Sequence, residues 1–177
     1  VADLQYPIGK FIRKPSLSPD ERLGLIQSIS DLPPQLRAIV AGLTEHQMGL
    51  PYRPDGWKIR QVVHHVADSH MNAFIRFKLA LTEQEPTIKP YDEKLWAQLD
   101  DADSALVESS LRLVEGLHAR WTVLLRSINQ KDFTRPFNHP ERGTMLLDDI
   151  LQLYAWHGKH HVAHIAAFRE RHGLTTH

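Results

Sequence analysis

The chain has 177 residues, 42% of them hydrophobic and 24% charged, enough apolar material for one domain (residues 1–177) with a sizeable core. Lys plus Arg and Asp plus Glu both number 21, and no basic run carries interleaved aromatics, so neither nucleic acid nor an anionic membrane is an expected partner. The lack of cysteine excludes disulfides, thiolate metal sites and a protein-borne thiol nucleophile, so any metal must be held by histidine or carboxylate.

No apolar run approaches the ~20 residues that span a bilayer, and the opening VADLQYPIGKF has no apolar segment of a secretory signal. A cytoplasmic setting is the expectation. Residues 1–17 carry Pro7, Gly9 and Pro15 and read as an extended arm. Ser18-Pro19-Asp20-Glu21 then starts a helix: Ser as N-cap, Pro at the first position, acids in the first turn. Leu23, Ile26 and Ile29 lead to Pro33-Pro34, where a missing donor and a steric clash predict a break or kink before Leu36, Ile39, Val40 and Leu43 resume the pattern.

Thr44 to Trp57 reads as loop. A second helix is predicted from about Lys58 to Leu81, without a good capping side chain at its start, on the spacing of Ile59, Val62, Val63, Val66, Ala73, Phe74, Phe77 and Leu81. Tyr91 to Leu99 is expected to hold a short helix. A third long helix runs from near Asp103 or Ser104 to Ile128, on a stripe that includes Leu111, Val114, His118, Trp121 and Leu125. Residues 129–145, with Pro136, Pro140 and Gly143, read as a long connection. The fourth helix is predicted from Leu147 to His172, with Gly173 as its stop. No strand pattern competes. The fold class expected is all-α, a four-helix bundle with long connections that allow crossovers.

Twelve histidines are an unusual number for this length, and LYAWHGKHHVAH places four of them in eight residues of the fourth helix. His157 and His161 are four apart, on one face one turn apart, the geometry by which a helix offers two imidazoles to one metal ion. The inward stripe continues to His164. Three histidines therefore occupy positions that a plain bundle fills with leucine, and burying an imidazole without a partner costs roughly 1–3 kcal/mol. Metal coordination offsets that cost; hydrogen bonds within an ordinary core are the alternative. His160 and His164 are also four apart, so spacing alone leaves two candidate pairs.

A third ligand must come from elsewhere, and VVHHVADSH offers His64, His65 and His70. Periodicity favours His70, which sits inside the apolar face, over His65 at its edge; His64 points away. Asp68, one turn from His65, is a candidate outer acceptor, ligand or proton-transfer group, as is His164 for proton transfer. His118, between Val114 and Trp121, reads as a core residue or as a support behind the ligands. His46, His139, His172 and His177 lie in loops or ends and receive no role. Tyr52, Arg53, Arg76 and Tyr154 are candidates for a mouth above the metal, though each also fits an ordinary packing role.

The blocks YPIGKF, PYRPDGWKIRQVVHHVADSHMNAFIRFKLAL, PYDEKLW, LHARW and LYAWHGKHHVAHI, in this order from Tyr6 to about Arg171, resemble the YfiT branch of the DinB-like superfamily. The resemblance implies a four-helix bundle, a dimer, and zinc or nickel at a three-histidine site. Matched by position, the ligands fall on His65, His157 and His161. This chooses between the two pairs and overrules the preference for His70. Lys58 departs from the Ser or Thr usual at its position. The resemblance also implies a metal-dependent hydrolase acting on a small molecule. The alternatives are a metal-dependent S-transferase using a low-molecular-weight thiol such as bacillithiol, and a non-catalytic metal-binding module.

Overall fold

The computed structural model describes residues 3–174, so His177 lies outside the described residues. The arm leads into helix α1 (Pro19–Val40), which begins with a reciprocal cap: Ser18 Oγ accepts the Glu21 N–H, and the Glu21 carboxylate accepts the Ser18 N–H. The helix does not break at Pro33-Pro34. Leu32 and Leu36, both fully buried, hold the helix on either side of the prolines. The Ile29 carbonyl, deprived of its helical partner by Pro33, accepts a hydrogen bond from His118 Nδ1 at 2.7 Å.

The segment read as loop contains one capped turn, α2 (Glu45–Met48), begun by Thr44. Helix α3 (Ile59–Thr82) follows. Its N-cap Lys58 makes no side-chain cap, and Gln61 Oε1 accepts the Lys58 N–H at 2.8 Å instead. Two short helices, α4 (Glu93–Trp96) and α5 (Asp100–Ser104), precede α6 (Val107–Ser127). The third long helix thus starts later than its sequence suggests, because Ala105 and Leu106 are extended. That opening is used: His64 Nε2–H donates to the Ala105 carbonyl, and Ser110 Oγ–H donates to His64 Nδ1.

The long connection, in which no strand was expected, is a 3-10 turn (Gln130–Thr134) and a hairpin of β1 (Pro136–His139) with β2 (Gly143–Leu146). Four-residue strands are too short for a period of two to register in the sequence. Phe137, 1% exposed, anchors the hairpin to the core, and Gly143 takes the left-handed conformation (φ +74°) after the turn. Helix α7 (Leu147–Arg171) closes the bundle.

The four long helices form a ring in the order α1, α6, α3, α7. Consecutive helices α1 and α3 lie across the bundle from one another, as do α6 and α7, which the intervening long connections permit. The arm runs antiparallel along α7. Arg13 pairs with Asp149, the Lys14 N–H donates to Gln152 Oε1 at 2.8 Å, and the Gln5 carbonyl accepts from His164 Nε2 at 3.1 Å.

Two apolar clusters fill the bundle. One contains Ile26, Ile29, Phe74, Phe77, Trp121, Leu125 and Ile150; the other contains Leu32, Leu36, Val62, Val66, Leu111, Val114, Ile165 and Phe168. Between them on α3, α6 and α7 lies a layer of histidines: His70, His118, His157 and His161.

Candidate metal centre

His65 projects from α3, and His157 and His161 from α7, where their i, i+4 spacing stacks them one turn apart. The Nε2 atoms of His65 and His157 lie 3.2 Å apart, and those of His157 and His161 3.1 Å apart. All three ligand atoms fall within 4.8 Å of one another. A tetrahedral ion about 2.0–2.1 Å from each nitrogen sets its ligands roughly 3.3 Å apart, so the cluster has the dimensions of a metal site. The donor set fits too: three imidazoles, of a kind that suits zinc, nickel, copper or iron.

Electrostatics keep these rings neutral, the form that binds metal. Burial, and then the neighbouring imidazoles, hold His157 and His161 well below the ordinary 6.5; burial lowers His65 to about 4, with His160 and His164 adding to it. Trp57, just before α3, covers His65 with ring centroids 4.7 Å apart.

His70 lies about 140° around α3 from His65 and meets His157 from behind: its Nε2 stands 3.1 Å from His157 Nδ1. Periodicity, which favoured His70 as the ligand, located the most buried histidine of α3. The residue that shares the focal point with His157 and His161 is His65. Since α3 packs against both α6 and α7, its buried surface is wider than one stripe, and His65, 5% exposed, is buried with it. His64 points away from the cluster as expected, yet it is buried against α6 rather than solvated.

His160 belongs to a different constellation: its ring stacks on Trp156 at 4.3 Å and lies 5.9 Å from Tyr6 of the arm. His164 is bound to the Gln5 carbonyl and covered by Tyr52 at 4.2 Å, with its ring 5.3 Å from that of His161. Asp68 is half-buried and stands outside the cluster of ligand atoms; burial, reinforced by Asp101, raises its carboxyl to about 6. Tyr154 is buried beside His157, its hydroxyl accepting from Ser69 Oγ at 3.3 Å, and Arg53 reaches over Tyr52. A groove of about 410 Å³ between the arm, α1 and α7 is lined by Phe11, Leu17, Leu25 and Trp156, on the face of α7 opposite the triad.

Comparison with known proteins agrees with this architecture. Residues 29–165 match the model of the DinB superfamily. A protein of Bacillus cereus (strain 03BB102) named "Putative metal-dependent hydrolase" is 51% identical over 169 residues, which cover 96% of this chain and 97% of that protein. A relative from Bacillus thuringiensis subsp. konkukian (strain 97-27), of the same descriptive name, has the same identity and coverage. Among solved structures, YfiT from Bacillus subtilis, described as "a probable metal-dependent hydrolase with an unusual four-helix bundle topology", superposes with a TM-score of 0.95 at 46% identity, covering 97% of this chain and 99% of its own.

Proposed function

This chain belongs to the DinB superfamily, and from that premise we propose that it is a metal-dependent hydrolase of the YfiT type acting on a small molecule, with His65, His157 and His161 as its metal ligands. The observation that carries the proposal is the convergence of three neutral imidazole nitrogens within 4.8 Å from two helices. A divalent ion held by three imidazoles, zinc or nickel in this reading, keeps coordination positions open and supplies Lewis acidity that activates water or a thiol.

The chain's own residues do the rest. Trp57 shields His65 on one side. Asp68, raised to about 6 by burial and by Asp101, is the carboxylate candidate for proton transfer. His164, next along the stripe from His161, is the imidazole candidate. A second reading, a metal-dependent S-transferase using a low-molecular-weight thiol, is favoured by the lack of cysteine, since no internal thiol competes for the ion. A cytoplasmic homodimer, binding neither nucleic acid nor membrane, completes the proposal. No helix among the described residues is long and apolar enough to cross a membrane.

The test is elemental analysis of untagged protein beside His157→Ala, followed by ester and amide hydrolysis assays with and without added thiol. About one equivalent of zinc or nickel per chain in the wild type alone is expected, with thiol-independent turnover. Turnover that requires thiol replaces hydrolysis with transfer. Wild-type protein that takes up no metal even after reconstitution overturns the site.

A further inference from the structure

Behind His157 the histidines continue in a line that visits every long helix. His157 Nδ1 on α7 lies 3.1 Å from His70 Nε2 on α3, His70 Nδ1 lies 3.1 Å from His118 Nε2 on α6, and His118 Nδ1 lies 2.7 Å from the Ile29 carbonyl on α1. The last contact sets the direction of all the others. A carbonyl oxygen only accepts, so His118 Nδ1 carries the proton. A neutral imidazole has one N–H, so His118 Nε2 is bare and takes its hydrogen bond from His70 Nδ1–H. By the same rule His70 Nε2 is bare and accepts from His157 Nδ1–H. His157 Nε2, the end of the line, is therefore a lone pair, and it faces the Nε2 atoms of His65 and His161.

The origin of this order is a proline. In an unbroken helix the Ile29 carbonyl is taken by the N–H of residue 33, and Pro33 has none. The free acceptor is buried, Ile29 being 1% exposed, so it needs a donor from another helix. His161 shows the contrast: its Nδ1 is buried with no hydrogen-bond partner among the described residues.

We propose that His70 and His118 are positioning residues for the metal: starting from the carbonyl that Pro33 leaves free, they hold His157 in the Nδ1–H tautomer whose Nε2 is available to the ion. This rests on the three-histidine reading of the site. Outer hydrogen-bond partners of ligating histidines fix ring orientation and tautomer, and their loss lowers metal affinity by about 10–100-fold.

The test has two parts. First, ¹⁵N NMR of the metal-free wild type reports each imidazole's tautomer. His157, His70 and His118 are expected as Nδ1–H, and an Nε2–H form at any of the three overturns the relay without a variant having to fold. Second, Zn²⁺ affinity is measured by competition with a chelating dye for wild type, His70→Phe and His70→Gln. Phe removes the acceptor and should weaken binding by about 10–100-fold, whereas Gln keeps an acceptor oxygen toward His157 and should restore most of it. Wild-type affinity in a folded His70→Phe, or equal loss in both variants, overturns the positioning role while leaving the triad in place. Failure of the wild type itself to bind Zn²⁺ overturns the triad, and the relay's purpose falls with it.

Discussion

The two faces of a single imidazole ring organise the site. His157 offers Nε2 to His65 and His161 and Nδ1 to His70, so every neighbour it has in the histidine layer is specified by which nitrogen it meets. At this scale the two candidate pairs of α7 separate. His161→Ala removes a nitrogen from the cluster and should weaken Zn²⁺ binding by more than the roughly 10–100-fold typical of an outer partner. His160→Phe preserves the stack on Trp156 and should leave Zn²⁺ stoichiometry unchanged, as read by dye competition. The reverse result would move the metal to the 160/164 pair. Spacing allowed both pairs, and only the family resemblance chose between them, because a ring direction is not a property of spacing.

Between elements, one buried ion pair ties α1 to the start of α7. Arg22 Nε and a terminal nitrogen reach both oxygens of Asp148 at 2.8 and 2.7 Å, and Arg22 also donates to Gln130 beyond α6. The side chains are 10% and 9% exposed, so removing one partner strands a charge away from water. Arg22→Met should lower the unfolding free energy by about 3 kcal/mol in urea titration, the low end of the usual 3–5 because the N-terminus of α7 still favours the Asp148 carboxylate. A loss under about 1 kcal/mol would mean that water reaches the pair. The helices themselves were readable: the Ser18 cap, the apolar stripes and Gly173 place the long helices within a few residues of their observed ends. The uninterrupted course of α1 was not, because proline's cost is local and its compensation comes from α6.

Across the whole molecule, a polar layer between two apolar cores couples stability to pH. Burial holds His118 at about 4, so the folded protein keeps this ring neutral where the unfolded chain, with an ordinary value of 6.5, binds a proton. Its contribution is fully present above about 6.5 and is lost as pH falls toward 4, because the unfolded state then binds more protons. The gap is worth about 3 kcal/mol for this ring alone. The melting temperature of the metal-free protein should therefore fall steadily from pH 6.5 to 4. A flat profile over that window would mean that the imidazole is hydrated in the fold.

By itself the sequence determined that the chain is helical, that no thiol of its own can ligate a metal or act as nucleophile, and that α7 presents histidines four apart on one face, because composition and helical period are properties of the chain read along its length. Periodicity alone pointed to His70 and the family resemblance to His65; it took tertiary structure to show the geometry by which His65 meets His157 and His161 while His70 stands behind, that α1 and α3 lie across the bundle, and that Pro33 leaves a carbonyl for His118. Each of these depends on the offset and rotation of one helix against another. A periodic pattern names the face a helix buries; only packing against two neighbours at once decides which side chain on that face points at a common atom, and which one stands behind it.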